Sequence, residues 1–346
     1  MKNKPLVSVI IATYNSAKVL PKVLGALEKQ SYPEVRRETV IVDGGSSDQT
    51  LKIAKSYNCK IIKNPSKDPV SGKHLGYLKA KGKYLMYLDH DEVLQNMDSI
   101  TNKVHCLEKE NINAIAGGNY VNPKNYPFIN EYVNEFGDPF SFFIYRISKR
   151  DKYFLVSMKR RFKIISETKD YAIFDLNKTA NLPLFELVAG GSIFNGEYLK
   201  NAFPQTLKDK LLVPHYYYLI YTKYQSIALM KNDPIEHYSS ETYTRYLKKI
   251  SWRVRNNIHF SGSLGESGFS GRQKYSKSNK YKKYLFIPYS YSLIFPLIDG
   301  LYLSLTRKNF LYMMHLPLCV YTASLILYHQ SLRLLGVKFD LKTYGS

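Results

Sequence analysis

Short apolar runs alternate with amphipathic stretches along the first 120 residues of the chain. The runs have the length and composition of strands buried on both faces, and they occupy residues 7–12, 39–42, 59–62, 84–88 and 114–116. Between them, apolar residues recur at helical spacing and predict helices over about 16–30, 48–57, 70–81 and 100–107. Because strand and helix alternate throughout, we predict an α/β fold with a doubly wound parallel sheet over residues 1–120.

Polar clusters follow three of the predicted strands. Asn15, Asp43 and Asp89 each come just after a buried run. The carboxyl ends of parallel strands meet at one edge of the sheet, where open α/β folds bind their ligands. Each residue is also a common turn residue, but their joint placement favours a nucleotide-binding crevice. Gly44 and Gly45 would let the backbone approach a ligand closely.

Asp89 and Asp91 are two carboxylates at the carboxyl end of a predicted strand. The apolar run 84–88 leads directly into these two carboxylates, which are separated by one residue. Mg2+ and Mn2+ prefer carboxylate and phosphate oxygens, so the pair predicts a divalent metal site. A turn or a helix cap would use the same residues, and the neighbouring polar clusters give the metal site its weight.

Composition adds a preference for anionic partners. The formal net charge is +22, and the chain contains 31 tyrosines, which suit sugar sites and membrane interfaces. Three cysteines give no disulfide framework and favour a reducing compartment. The first apolar run is too short for the core of a signal peptide, so we expect none.

Two apolar runs near the C-terminus, residues 284–306 and 310–335, predict a helical hairpin. Each is close to the ~20 residues that cross a bilayer. Residues 245–283 hold eleven Lys or Arg and one acid, a composition that attracts anionic lipid headgroups. Membrane association is therefore expected, and the alternative is a pair of core helices in a soluble domain. Arg307 and Lys308 in the connection favour a shallow or re-entrant hairpin over a full crossing.

Polar residues in the hairpin follow a regular spacing. His315, Thr322 and His329 are seven residues apart in the second run, and Ser292 and Asp299 are seven apart in the first. Ionisable groups inside a membrane rarely face lipid. We therefore expect these stripes to face each other or the catalytic domain.

Three segments, VSVIIATYN, TVIVDGGSSDQT and SGKHLGYLKAKGKYLMYLDHDE, carry a resemblance to a known family. In order and spacing they resemble the nucleotide-sugar half of the family 2 glycosyltransferases, which have a GT-A fold. The resemblance implies a nucleotide-diphosphate sugar as donor and an inverting transfer. It also implies that one group of residues holds the base and ribose: Thr13, Tyr14, Asn15, Asp43 and Gly44.

The same resemblance assigns roles around the diphosphate. Asp89 would face the ribose and the metal, and Asp91 would bind the Mn2+ or Mg2+ that bridges the diphosphate. Lys73 lies where the family usually has arginine, and it can still meet the diphosphate as a point charge. His237 is a candidate third metal ligand, with a structural histidine as the alternative.

The general base is not identified by the sequence. Residues 187–194 resemble a Gly-rich strand that enters a helix lining the acceptor pocket, but the family's Glu-Asp pair does not follow it. Asp209 and His215 are the candidates, with Glu186 behind them. A sugar hydroxyl needs a base near neutral pKa, whereas a lipid phosphate with a second pKa of about 6 is already anionic.

These observations predict a nucleotide-sugar half at 1–120, an acceptor half at 121–245, a basic linker at 246–283 and the hairpin with its tail at 284–346. The expected protein is a metal-dependent glycosyltransferase at the cytoplasmic face of the cell membrane, acting on a lipid-linked or glycan acceptor and touching anionic lipid. A polyprenyl-phosphate sugar transferase and a non-catalytic membrane scaffold are alternatives. The charge also fits a nucleic-acid-binding protein, but no nucleic-acid motif is present, so we expect no such partner.

Overall fold

The computed structural model describes residues 4–177, 182, 188–261, 269–275 and 277–340. The chain divides into two compact units. Unit 1 holds the described residues of 1–123, 149–178 and 185–238, and unit 2 holds those of 124–148, 179–184 and 239–346.

All strands of the described chain lie in unit 1. In chain order, β1 to β12 are Val7–Thr13, Arg37–Asp43, Lys60–Lys63, Tyr84–Asp89, Glu92–Leu94, Ala114–Ile115, Tyr120–Val121, Lys163–Glu167, Tyr171–Asp175, Ser192–Asn195, Ser226–Met230 and Ile235–His237. The first four and β6 coincide closely with the predicted strands. The three-residue strands β5 and β12 were not predicted.

Nine strands form one mixed sheet in the order β3-β2-β1-β4-β10-β6-β11-β9-β8. The strands β3, β2, β1 and β4 are parallel, as predicted. The strand β10 lies antiparallel between β4 and β6, so the sheet is mixed and continues well beyond residue 120. A separate small sheet has the order β5-β12-β7.

The α-helices α1 to α15 are Leu20–Glu28, Thr50–Ser56, Pro69–Lys79, Ser99–Lys109, Phe128–Phe136, Pro139–Tyr145, Asp151–Lys159, Gly196–Ala202, Tyr216–Tyr224, Tyr243–His259, Phe269–Arg272, Lys277–Lys282, Phe286–Tyr291, Ile294–Arg307 and His315–Leu334. Helix α3 begins where the sequence signals a start. Asp68 accepts a hydrogen bond from the Ser71 N–H at 2.8 Å, and Pro69 occupies the first turn. Short 3-10 segments fill several of the connections.

The core of unit 1 lies under the parallel strands. Buried side chains of β1, β2 and β4, such as Val9, Ile41 and Met86, pack with Leu24 of α1 and Leu107 of α4. The alternation that predicted the elements also supplies their buried faces. This packing fixes the carboxyl ends of the three strands beside one another.

Unit 2 is helical in the described residues. Aromatic side chains of α5 and α6, among them Tyr132, Phe136 and Phe142, form one core with Tyr246 of α10 and Leu318 of α15. The segment predicted as a basic linker therefore includes α10, a helix that contributes to a core. Whether the four predicted segments act as separate functional parts stays a prediction.

The first run of the predicted hairpin is not one straight helix. Helices α13 and α14 meet at a bend of 89° near Ser292 and Leu293, and Leu293 has a φ of +59°. Residues 310–334 form one continuous helical stretch of a length and composition that suit a bilayer crossing. The described part of the chain thus has one helix of crossing length and one sharply broken run.

The polar stripe of α15 faces protein, as predicted. His315, Thr322 and His329 are each buried. The His315 Nδ1 lies 2.6 Å from the Tyr132 hydroxyl, and its Nε2 lies 3.0 Å from the Tyr289 hydroxyl. Arg307 forms an ion pair with the buried Glu135 at 2.7 Å. These polar contacts join α5, α13, α14 and α15 within unit 2.

Candidate nucleotide-sugar site

Two loops at the carboxyl ends of β1 and β2 are joined by hydrogen bonds. Asn15, with a φ of +47°, accepts from the Ser47 N–H at 2.9 Å, and its own N–H donates to the Ser46 hydroxyl at 2.9 Å. The Ser16 N–H donates to the Thr50 hydroxyl at 2.7 Å. The loops after β1 and β2, which the sequence predicted to border a crevice, are thus held together by hydrogen bonds.

Asp43 builds the turn after β2. One carboxylate oxygen accepts from the hydroxyls of Thr13 at 3.0 Å and Ser46 at 2.5 Å. The other accepts from the N–H groups of Gly45 at 2.9 Å and Ser46 at 2.8 Å. The turn role that the sequence left open is therefore present, and the nucleotide role of Asp43 stays a prediction.

Tyr14 and Gly44 complete the predicted nucleotide contacts. The Tyr14 side chain is 48% exposed beside the turn. The Gly44 N–H donates to the Thr13 carbonyl at 2.8 Å, which fastens the start of the turn to β1. The positive φ of this turn belongs to Gly45, at +91°, so glycine is required there more than at Gly44.

Lys73 and Asp89 form an ion pair. The Lys73 ammonium lies 2.6 Å from a carboxylate oxygen of Asp89. Helix α3 packs closely on the sheet because Gly76 has no side chain; a side chain there would clash with Ile10. This close packing brings Lys73 near the sheet. The Tyr87 hydroxyl also donates to the Lys73 carbonyl at 3.0 Å. The predicted diphosphate lysine therefore lies at the predicted metal ligand.

The small sheet brings Asp91 and His237 together. β12 pairs antiparallel with β5, and its register places His237 opposite Glu92. The His237 Nε2 lies 3.8 Å from an Asp91 carboxylate oxygen, and the Tyr238 N–H donates to the Asp91 carbonyl at 2.9 Å. The Tyr120 ring packs against the imidazole, with a centroid distance of 4.8 Å. Residues far apart in sequence thus share one strand end.

Glu92 is a buried residue that the sequence prediction missed. One of its carboxylate oxygens accepts from the Asp89 N–H at 2.8 Å and the Gly190 N–H at 2.6 Å, and the other accepts from the Tyr120 hydroxyl at 2.8 Å. Burial, and next the charge of Asp89, raises the pKa of Glu92 to about 8. Glu92 therefore holds the end of β4 to the Gly-rich turn. Its position directly after Asp91 is visible in the sequence, but its burial is not.

The Gly-rich turn leads into β10 and α8, as the resemblance implied. Gly190 and Gly191 have φ values of +63° and +64°, and a side chain at Gly190 would meet the Tyr120 hydroxyl. Only glycine is accommodated there without strain. Leu187 and the candidate base Glu186 lie outside the described residues.

Asp209 and His215 lie on a segment beside α3. Asp209 accepts from the Leu211 N–H at 2.9 Å and caps the 3-10 helix that contains the buried His215. The Lys210 ammonium donates to the Ser71 hydroxyl at 2.8 Å, which ties this segment to the start of α3. Among the contacts of the described chain, none joins Asp209 to Asp89 or Asp91. The choice of base stays a prediction.

The predicted metal ligands fit a site that substrate and water complete, more than a site formed by protein ligands alone. Within the described ranges, no three His, Cys, Asp or Glu side chains are arranged to hold a metal by themselves. Mg2+ commonly binds one or two carboxylates and takes its other ligands from substrate phosphates and water. Asp89 and Asp91 supply two carboxylates of that kind, and His237 as a third ligand stays a prediction.

Comparison with known proteins identifies the domain. Residues 8–172 match the model of glycosyl transferase family 2, and this segment belongs to that family. It runs from β1 into the start of β9 and contains all of the predicted nucleotide-sugar contacts.

Two curated relatives match part of the chain. The poly(ribitol-phosphate) beta-N-acetylglucosaminyltransferase TarS of Staphylococcus aureus is 33% identical over 93 residues, which are 25% of this chain and 16% of TarS. The O-antigen chain rhamnosyltransferase RfbN of Salmonella typhimurium is 31% identical over 116 residues, which are 32% of this chain and 36% of RfbN. The match therefore spans well under half of either relative.

A solved structure has the same fold. The mannosyltransferase PcManGT from Pyrobaculum calidifontis, in complex with GDP-Man and Mn2+, aligns with a TM-score of 0.51 at 15% sequence identity. The alignment covers 95% of this chain and 88% of PcManGT. The likeness confirms the predicted GT-A fold.

Proposed function

We propose that this protein is a metal-dependent, inverting glycosyltransferase that uses a nucleotide-diphosphate sugar. Its acceptor is a glycan of the cell envelope or a lipid-linked precursor of one. The observation that carries the proposal is that the Asp43 turn and the Lys73–Asp89 pair lie at the carboxyl ends of parallel strands in a family 2 domain, and that the Asp91–His237 pair follows directly after Asp89. The relatives TarS and RfbN, named for poly(ribitol phosphate) and O-antigen chains, support the acceptor class.

The residues around Asp89 would stabilise the negative charge of the diphosphate leaving group. Asp89, Asp91 and His237 would hold a Mn2+ or Mg2+ ion, which would neutralise negative charge on the diphosphate leaving group. Lys73 offers a second positive charge at the same place, because its ammonium can exchange Asp89 for a phosphate oxygen. Glu92 accepts hydrogen bonds from the N–H groups of Asp89 and Gly190, and these bonds keep the two segments in place.

Calorimetry with UDP and GDP tests the donor site. One of the two is expected to bind the purified protein in Mn2+, with affinity at least about tenfold weaker in EDTA, since about 1.4 kcal/mol of charge neutralisation is a factor of ten. Equal binding in EDTA would contradict the metal role. Binding of neither, in a folded preparation, would contradict the choice of nucleotide.

Asp43→Ala is expected to weaken donor binding roughly ten- to a hundredfold, because lost hydrogen bonds to a charged group cost about 1.5–3 kcal/mol. Without the carboxylate, the N–H groups of Gly45 and Ser46 lose the acceptor that shapes the turn. Asp43→Asn is the matched variant, because its amide can retain the turn. An unchanged donor Kd in Asp43→Ala would show that the turn does not contact the donor.

For a hydroxyl acceptor, either Asp209→Asn or His215→Ala is expected to lower kcat by about 10²–10⁴, the usual contribution of a general base. The donor Kd should stay unchanged, and Lys208→Gln, a neighbouring exposed position, serves as the control. Normal turnover in both variants would mean that the base lies elsewhere or that the acceptor is an anion such as a polyprenyl phosphate.

The proposal includes membrane association at the cytoplasmic face through unit 2. Most of the large apolar side chains that are exposed in the described chain lie between residues 281 and 337. On α14 they include Ile298, Leu301 and Leu305, which share one face. Contiguous exposed apolar surface of this kind marks a membrane or protein contact, and the neighbouring basic residues favour anionic lipid.

Ile298→Asp combined with Leu305→Asp is expected to lower binding to anionic vesicles at least about tenfold, because two apolar side chains leave the bilayer. Both side chains are exposed, so the fold should persist. Val35→Asp with Ile165→Asp, two exposed apolar positions of unit 1, is the matched control. Truncation after residue 283 would be less clear, because it strips Leu318 and Tyr312 from the core of α5 and α6. Equal vesicle binding by both double variants would contradict the membrane surface.

A further inference from the structure

A cavity of about 420 Å3 lies in unit 2, between α10 and α15. Thr244, Lys248, Ser251 and Arg255 line it from one face of α10, since their spacing of three or four residues keeps them in one row. Tyr321 of α15 closes the other side and donates its hydroxyl to the Leu247 carbonyl at 3.4 Å. The Trp252 side chain also reaches the cavity.

The three arginines and Lys248 of α10 fall into two groups. Arg245 pairs with Glu241 at 3.9 Å, and Arg253 pairs with Asp138 at 3.1 Å. Lys248 and Arg255 face the cavity instead, and in the described chain neither forms an ion pair. The cavity therefore carries two positive charges that no described carboxylate balances.

The Arg255 guanidinium has two hydrogen-bond donors that an anion could use. Its Nε and Nη2 are buried, and neither finds a hydrogen-bond acceptor within the residues that the structure describes. These two nitrogens are the side-on fork that binds a phosphate or carboxylate through two parallel hydrogen bonds. Buried donors left without an acceptor cost free energy, so an anionic group that enters from the cavity and reaches these nitrogens would be stabilised.

We propose that this cavity binds the phosphate of an anionic phospholipid headgroup. The Arg255 fork and the Lys248 ammonium would hold the phosphate, and the hydroxyls of Ser251 and Thr244 can donate to its remaining oxygens. Trp252 and Tyr321 are the aromatic residues that prefer the headgroup level of a bilayer. The choice of a lipid as the source of the phosphate rests on the membrane association of the proposed function. The residues of this cavity are distinct from those of the donor crevice in unit 1.

Vesicle binding by the full-length chain tests the site. Arg255→Gln is expected to lower affinity for phosphatidylglycerol vesicles about tenfold or more, the effect of losing charge-assisted hydrogen bonds. Arg255→Lys keeps the charge but removes the fork, and it should lose at least about threefold. The control, Arg245→Gln on the same helix, should change affinity by less than about threefold, because an exposed charge contributes little. Binding to phosphatidylcholine vesicles should be the same for all four proteins.

A general positive field on α10 would weaken vesicle binding equally in Arg255→Gln and Arg245→Gln, and that result would overturn the proposal. Inorganic phosphate that binds the detergent-solubilised protein through Arg255 as tightly as the vesicles do would overturn the lipid as the ligand. Nucleoside diphosphate binding in the same samples reports unit 1 separately, and it should not change. Arg255→Lys, which retains the charge, keeps the test valid if Arg255→Gln does not fold.

Discussion

Replacing Asp91 by asparagine is expected to lower the turnover of sugar transfer about a hundredfold or more while the fold persists. The substitution keeps the shape of the side chain and leaves the Tyr238 N–H bonded to the backbone carbonyl of residue 91. It removes one charge beside His237 and Asp89, where the diphosphate must be neutralised. A loss of about 3 kcal/mol in the transition state is two orders of magnitude in rate. Measurement of kcat and kcat/KM in Mn2+ checks the prediction.

Asp98→Asn is the matched control for this variant. Asp98 is an exposed carboxylate in the next loop, and it accepts from the Ser31 hydroxyl at 2.6 Å, a bond that an amide oxygen can keep. Its turnover should stay within about threefold of the wild type, because an exposed charge contributes little. Metal-independent transfer at the normal rate in Asp91→Asn would be incompatible with a metal held at this residue.

Replacing Glu92 by leucine is expected to destabilise unit 1 by about 3 kcal/mol or more and to abolish transfer. Leucine leaves the Asp89 N–H, the Gly190 N–H and the Tyr120 hydroxyl without the acceptor they share. Each buried donor left unsatisfied costs about 1–3 kcal/mol. Thermal unfolding followed by circular dichroism, with donor affinity measured on the same protein, gives the two readouts.

Glu92→Gln keeps the hydrogen bonds of residue 92 and removes its ionisable carboxyl. Its amide oxygen can accept from both N–H groups, and its NH2 can donate to the Tyr120 hydroxyl, so the connections survive without a group that titrates. We expect near-normal stability and a much smaller loss of turnover than in Glu92→Leu. If Glu92→Leu unfolds at the wild-type temperature and retains transfer, Glu92 does not hold the two loops together.

Local pattern was enough to locate the parallel strands and the loops that follow them. Continuous apolar runs can be buried on both faces only in a sheet covered by helices, so β1, β2 and β4 were visible without knowledge of their partners. Asn15, Asp43 and Asp89 then had to share an edge, because parallel strands place their carboxyl ends together. The mixed remainder of the sheet depends on long-range pairing, such as β10 between β4 and β6, which local periodicity does not encode.

The parts of the site that the sequence did not predict also depend on long-range contacts. β5 and β12 are only three residues long, and nothing in their sequence states that they pair and bring His237 to Asp91. Glu92 reads as one more polar residue after the strand, yet it is fully buried. The base stayed open because Asp209 and His215 lie on a 3-10 segment without the family's usual motif.

In the C-terminal hairpin of unit 2, composition alone did not predict the shape of the first run. The run 284–306 has the length and apolar character of a single crossing helix, but the chain turns by 89° between α13 and α14. Leu293 takes a positive φ at this break, and Pro296 then lies in the first turn of α14, where proline is tolerated. The buried stripe of α15 was predictable, because polar residues at a spacing of seven must share one face.

Release of free nucleoside diphosphate from a panel of nucleotide sugars tests the central claim most directly. Purified full-length protein in detergent is incubated with each donor, with envelope glycan or lipid-linked acceptor, and with either Mn2+ or EDTA. We expect one donor to give acceptor-dependent release in Mn2+, almost none in EDTA, and almost none with Asp91→Asn in either condition. Release that is equal in Mn2+ and EDTA, or absent for every donor with a folded protein, would contradict a metal-dependent nucleotide-sugar transferase.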